Sequence, residues 1–82
     1  MEIVIYLYKG IIALDAVGPY EVLSRLPDAN VKFVGEAKGI IVSDSHFLKL
    51  VAEYEISEIE SADILLIPGS VIGFIREARK KR

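Results

Sequence analysis

The chain contains no cysteine among its 82 residues. Disulfides, thiolate metal sites and a cysteine nucleophile are therefore excluded within these residues. It has a single histidine, His46. A lone histidine without an acidic or cysteine cluster is a surface or packing residue, so no metal role is assigned to it. Long apolar runs are also missing. Residues 3–7 are too few to span a membrane and lack a basic preceding region, so neither a span nor a signal peptide is expected there, and the expected compartment is the cytoplasm. An excess of either charge is also missing, since 10 Lys and Arg stand against 12 Asp and Glu and the net charge is −2. That balance gives no general electrostatic reason to expect nucleic acid. No internal repeat, linker or low-complexity tract is present.

What the chain does have is apolar content, 52% of its residues. It is therefore a core-forming sequence and not a disordered one. Its length allows one small domain, and a single core of that size is marginal without a partner. The organising stretch is Ala62-Asp63-Ile64-Leu65-Leu66-Ile67-Pro68-Gly69-Ser70. Four apolar residues without alternation predict a strand buried on both faces, as in a parallel sheet under helices. Pro68 cannot donate to a ladder and Gly69 permits unusual dihedrals, so the chain leaves the sheet there. The resulting loop lies at the carboxyl end of a strand, where open α/β sheets bind ligands.

From the start, residues 2–8 read as a first strand ended by Lys9-Gly10. Residues 11–26 carry Val17, Tyr20 and Leu23 at helical spacing, with Val22 and Leu26 widening the apolar face and Glu21-Arg25 as an i,i+4 pair. Pro19 leaves two alternatives: a helix that begins near Asp15 and kinks, or a helix capped by Gly18 with Pro19 at its first position. Residues 27–30 turn the chain, and residues 31–34 form a second strand, parallel to the first. Residues 40–51 predict a hairpin around Ser43-Asp44-Ser45, off the main sheet. Residues 53–60 are acidic and predict a helical turn or loop. Val71, Phe74, Ile75 and Ala78 share one helical stripe, and residues 76–82 are strongly basic. The first strand should lie between the second and the organising strand, whose other edge has no predicted partner. The pattern is that of half a sheet.

Three segments resemble the DJ-1/PfpI (ThiJ) superfamily. Residues 13–27, Ala13-Leu-Asp-Ala-Val-Gly-Pro-Tyr-Glu-Val-Leu-Ser-Arg-Leu-Pro27, resemble its first-helix signature, closest to the branch of isonitrile hydratases and of the amidotransferase-like sensor domains of AraC-type regulators. Val42-Ser-Asp-Ser45 is similar to the family's hairpin, and Ala62-Asp-Ile-Leu-Leu-Ile-Pro-Gly69 to its strand-to-loop segment. The resemblance covers all of this chain but only the amino-terminal part of the family domain. It implies an α/β fold: a truncated flavodoxin-like (class I glutamine amidotransferase-like) parallel sheet with helices on both faces and a β-hairpin, forming one partial domain over residues 1–82.

The resemblance also implies roles. Asp15 matches the acid that hydrogen-bonds the family's nucleophilic thiol and acts in acid/base steps; on its own terms it reads as a helix-start acid stabilised by the dipole. Gly69 matches the first glycine of a loop whose amides form an oxyanion site, and otherwise reads as an ordinary turn after a strand. Ser70 departs from the second glycine of that loop, and His46 stands where the family has glycine in the hairpin. The nucleophilic cysteine belongs to an elbow beyond the resembling region. The expectation is therefore an inactive amino-terminal or split half, isonitrile hydratase-like only when completed by a Cys-containing half. The alternatives are a non-enzymatic sensor or interaction module and, last, nucleic-acid binding through the basic end. No cofactor or metal is implied. The expected partner is a second copy in a homodimer, with Phe74 or Ile75 near the contact, or the complementary half.

Overall fold

Glu2–Tyr6 forms β1, and its residues 3, 4 and 5 are all buried to 1% exposure or less. The structure, a computed structural model, describes residues 1–68. The expectations at Gly69, Ser70, Phe74 and Ile75, and the stripe and basic end of residues 71–82, lie outside the described residues. After β1 come α1 (Ala13–Leu23), β2 (Asn30–Gly35), β3 (Gly39–Val42), β4 (Lys49–Ala52), β5 (Tyr54–Glu55), a 3₁₀ turn (Ile56–Glu58) and β6 (Ile64–Leu66). The order β5-β2-β1-β6 makes a four-stranded sheet with every neighbouring pair parallel. β3 and β4 form a separate antiparallel pair.

Register sorts the side chains into two faces. Ile3 lies beside Val31 and Ile64, and Ile5 beside Phe33 and Leu66. With the period of two in a strand, these side chains share a face with Leu7. α1 covers that face through Ala16, Tyr20 and Leu23, spaced four and three apart. Tyr20 meets Phe33 with ring centroids 5.4 Å apart. Each fully buried aliphatic side chain of this cluster contributes about 1.5–3 kcal/mol relative to exposure. The opposite face carries Val4 beside Lys32 and Leu65, and Tyr6 beside Val34.

Several details differ from the sequence reading. α1 begins at Ala13 and runs through Pro19, so Gly18 does not cap a separate helix. Pro19 cannot donate to the Asp15 carbonyl four residues back, a gap in the ladder that the packing of the helix tolerates. Tyr20, Leu23 and Leu26 pack inward as expected, but Val17 and Val22 are 37% and 69% exposed, because Ala16 continues the inward stripe and the expected widening does not occur. β5 falls inside the acidic stretch, where Tyr54 pairs with Val34. Double-sided burial belongs to β1 and not to residues 64–66, since Leu65 is 55% exposed. β1 has strands on both edges, whereas β6 ends the sheet order among the described residues. An apolar run reports hydrophobicity but not which strand has two neighbours. α1 is the single α-helix among the described residues, and it covers the Ile3–Ile5–Leu7 face.

Candidate functional site at the carboxyl end of the sheet

Parallel strands all leave the sheet at the same end, which gathers the loops that follow β1, β2 and β6. After β1 the backbone stays paired for one more residue, with the Leu7 N–H donating to the Val34 carbonyl at 2.7 Å. Gly10 then takes φ +85°, a left-handed conformation open to glycine. This turn feeds the buried Ile11 and the start of α1.

Two other segments attach to it. The Tyr8 hydroxyl donates to the Pro68 carbonyl at 2.7 Å, tying the exit of β1 to the exit of β6. The hairpin docks through the backbone: the Gly10 N–H donates to the Val42 carbonyl at 2.9 Å and the Asp44 N–H to the Ile11 carbonyl at 2.9 Å. Within the turn, Ser43 is 1% exposed and its hydroxyl lies 3.2 Å from that of Ser45. His46 sits in this turn at φ +69°, exposed, with its N–H bonded to the Ser43 carbonyl at 3.0 Å. The exit of β6 and the hairpin turn therefore both attach to the loop that leads into α1.

Asp15 is the third residue of α1 and is half-buried. Its N–H donates to the Ile12 carbonyl at 2.9 Å, and the helix start has no side-chain cap. A carboxylate in the first turn is favourably placed against the helix dipole. Gly69 and Ser70 follow Pro68 and lie outside the described residues. Among the described residues no three His, Cys, Asp or Glu side chains are grouped to hold a metal.

Tyr8 carries no mark of a site residue in the sequence, because a tyrosine ending a β-favouring run reads simply as strand. Its place directly before Lys9-Gly10 was the available signal. Tyr6 also reaches this end: its ring stacks on Tyr8 at 6.3 Å and its hydroxyl donates to Glu36 at 3.1 Å. Burial, and then the Glu36 carboxylate, push the Tyr6 phenol above its ordinary range.

Two cavities lie away from Asp15. One, of about 280 Å³ on the second face, is lined by Tyr6, Ile56, Leu65 and Ile67. The other, of about 230 Å³ near the amino end of the strands, includes Glu2, Lys32, Glu58 and Glu60. There the Asn30 amide bonds the Glu2 carboxylate, with Lys32 at 3.3 Å, and these hold Glu2 below the ordinary glutamate range. Glu58 is lowered first by the Glu55 N–H and then by Lys38. No protein-family model matches the chain, and no curated protein matches it.

Proposed function

We propose that residues 1–82 are the amino-terminal part of a DJ-1/PfpI-like domain, with a flavodoxin-like sheet carrying a site at its carboxyl end. One observation supports this reading above the others. The loop of residues 8–11 that leads into the helix bearing Asp15 is bonded both to Pro68 and to the Val42–Asp44 turn, which belong to the other two resembling segments. Asp15 is the acid/base residue of that site, positioned by the first turn of α1. The resemblance assigns Gly69 and Ser70 to the loop that would face it. The nucleophilic thiol is not among these residues, so the chain by itself has no turnover of the family's kind. With a Cys-containing half the chemistry is isonitrile hydratase-like.

Assay of the purified chain for isonitrile hydration tests the first half of this reading. Background rates are expected for the chain and for Asp15→Asn alike. Turnover that disappears in Asp15→Asn overturns it. A second reading, a non-enzymatic interaction module, is favoured by the exposed apolar outer face of the hairpin, where Ile40 and Val51 are 66% and 56% exposed.

A further inference from the structure

The second face of the sheet changes character from one end to the other. Glu2, Val4 and Tyr6 alternate onto it, with Lys32 and Leu65 beside Val4 and Ile67 two residues beyond Leu65. At its carboxyl end is the apolar cavity bordered by Tyr6, Ile56, Leu65 and Ile67. At its amino end is the charged cavity, where Glu2, Glu58 and Glu60 outnumber Lys32. Lys32 offsets Glu2 at 3.3 Å, and Lys38 offsets Glu58 at 3.4 Å. Glu60 is exposed and has no ion-pair partner among the described residues.

The rest of the chain repeats this order with the opposite charge. Residues 1–68 carry 5 Lys and Arg against 11 Asp and Glu, a net −6, whereas residues 69–82 carry 5 against 1, a net +4. Residues 53–63 hold five acids, and no Lys or Arg stands between Lys49 and Arg76. Within the terminal segment the apolar Val71, Phe74, Ile75 and Ala78 come first and Arg79-Lys-Lys-Arg82 last. A chain that turns back at Pro68 passes the apolar cavity before the charged one. Its length suits the path. Residues 69–79 would span about 17 Å as a helix. The run from Asp63 to Pro68 is about as long, at roughly 3.3 Å per residue.

We propose that residues 71–82 dock on this face of their own chain, with the basic end in the charged cavity against Glu58 and Glu60. Attachment at Pro68 sets the apolar-to-basic order against the matching order of the face, which a segment from a second copy would have to find by orientation. A short tether also supplies an effective concentration on the order of millimolar, enough for a contact built from exposed ion pairs. A basic end held there is not offered to phosphate. The contact does not depend on the role given to Asp15.

Crosslinking of the full chain tests the proposal. The chain has no cysteine, so Ser61→Cys with Arg82→Cys makes a single reporter pair. Ser61 borders the charged cavity and is exposed. A short bifunctional thiol reagent is expected to join the pair within one molecule, at a rate independent of protein concentration. Val22→Cys with Arg82→Cys places the first thiol on α1, over the opposite face, and should crosslink about tenfold more slowly. Glu60→Lys, or Lys80→Glu with Lys81→Glu, added to the reporter pair should slow crosslinking about fivefold, and combining them should restore it. Salt at about 1 M, where screening acts within about 3 Å, should slow the parent pair in the same way. Circular dichroism of each variant checks that the sheet is intact. Crosslinking indifferent to both charge reversals and to salt overturns the proposal. So do equal rates from Ser61 and Val22, and so do products that join only separate molecules, which would place the segment on a second copy.

Discussion

Glu2 and Asp63, 61 positions apart, exchange two hydrogen bonds. The Asp63 N–H donates to the Glu2 carbonyl at 2.8 Å, and the Asp63 carboxylate accepts the Glu2 N–H at 2.7 Å. The pair sits one residue before Ile3 and Ile64, the first paired positions of β1 and β6. It fixes the register in which Leu66 rather than Leu65 faces α1, because a slip of one residue would exchange the two faces. Asp63→Ala removes the side-chain acceptor and is expected to cost about 1 kcal/mol, read as a lower urea midpoint. Asp63→Asn retains an acceptor and should lose less. Equal stability of Asp63→Ala and the parent would show that the clamp contributes nothing.

Tyr8→Phe deletes the hydroxyl that reaches the Pro68 carbonyl while keeping the ring against Tyr6. The expected loss is about 1 kcal/mol, with the sheet intact by circular dichroism. Amide exchange should rise at the exits of β1 and β6 more than in the centre of β1. Uniform change across the sheet would mean that Tyr8 does not tie these loops together.

Gly35 ends β2 where β4 crosses close to it. A Cβ at this position would lie 3.1 Å from the Ala37 carbonyl oxygen, 3.1 Å from the Ala52 Cβ and 3.5 Å from the Leu7 carbonyl oxygen. Two of these neighbours are backbone atoms and cannot rotate away. Gly35→Ala is expected to cost about 1–3 kcal/mol by overpacking, measured by denaturant unfolding. An unchanged midpoint would contradict the close approach of the hairpin to the sheet.

Glu2 and Glu58 titrate lower in the fold than in the unfolded chain. The unfolded chain therefore binds more protons in the acid range, and stability rises with pH there. Their contribution is present above the ordinary glutamate range and is lost as pH falls through the lowered folded values. Tyr6 has the opposite sign: its contribution is present below the ordinary tyrosine range and lost as pH rises through its raised value. The urea midpoint should fall between about pH 6 and about pH 3, and Glu2→Gln should make that fall shallower. An identical slope in Glu2→Gln would remove Glu2 from the account. Both carboxylates are solvent-exposed, so added salt weakens the effect.

The parallel pairing of the first two strands and the placement of the hairpin were legible because both depend on local features. The apolar run before Lys9-Gly10 ends β1, and Ser43-Asp44-Ser45 turns the hairpin. The place of β1 between β2 and β6 was legible too, whereas the burial of the two strands was not, since residues 3–5 and 64–66 are equally apolar and only the neighbours distinguish them. β5 was hidden because two residues, Tyr54 and Glu55, give no periodicity. The inward stripe of α1 was legible at Tyr20, Leu23 and Leu26 but not at its start, because Ala16, small and buried, signals less than the larger Val17 and Val22. At the site, Asp15 was found through resemblance, while Tyr8 depends on a contact across 60 positions that no local pattern encodes.

The central claim is that Asp15 belongs to a site whose thiol is supplied from outside these residues. Its most direct test is isonitrile turnover after mixing the chain with a carboxyl-terminal, Cys-containing half taken from an isonitrile hydratase. The account predicts turnover in the mixture that neither part shows alone, reduced at least about a hundredfold by Asp15→Asn in this chain, the scale of a lost acid/base group. Association of the two halves, shown by co-sedimentation, without any turnover would contradict it. So would turnover that is unchanged in Asp15→Asn.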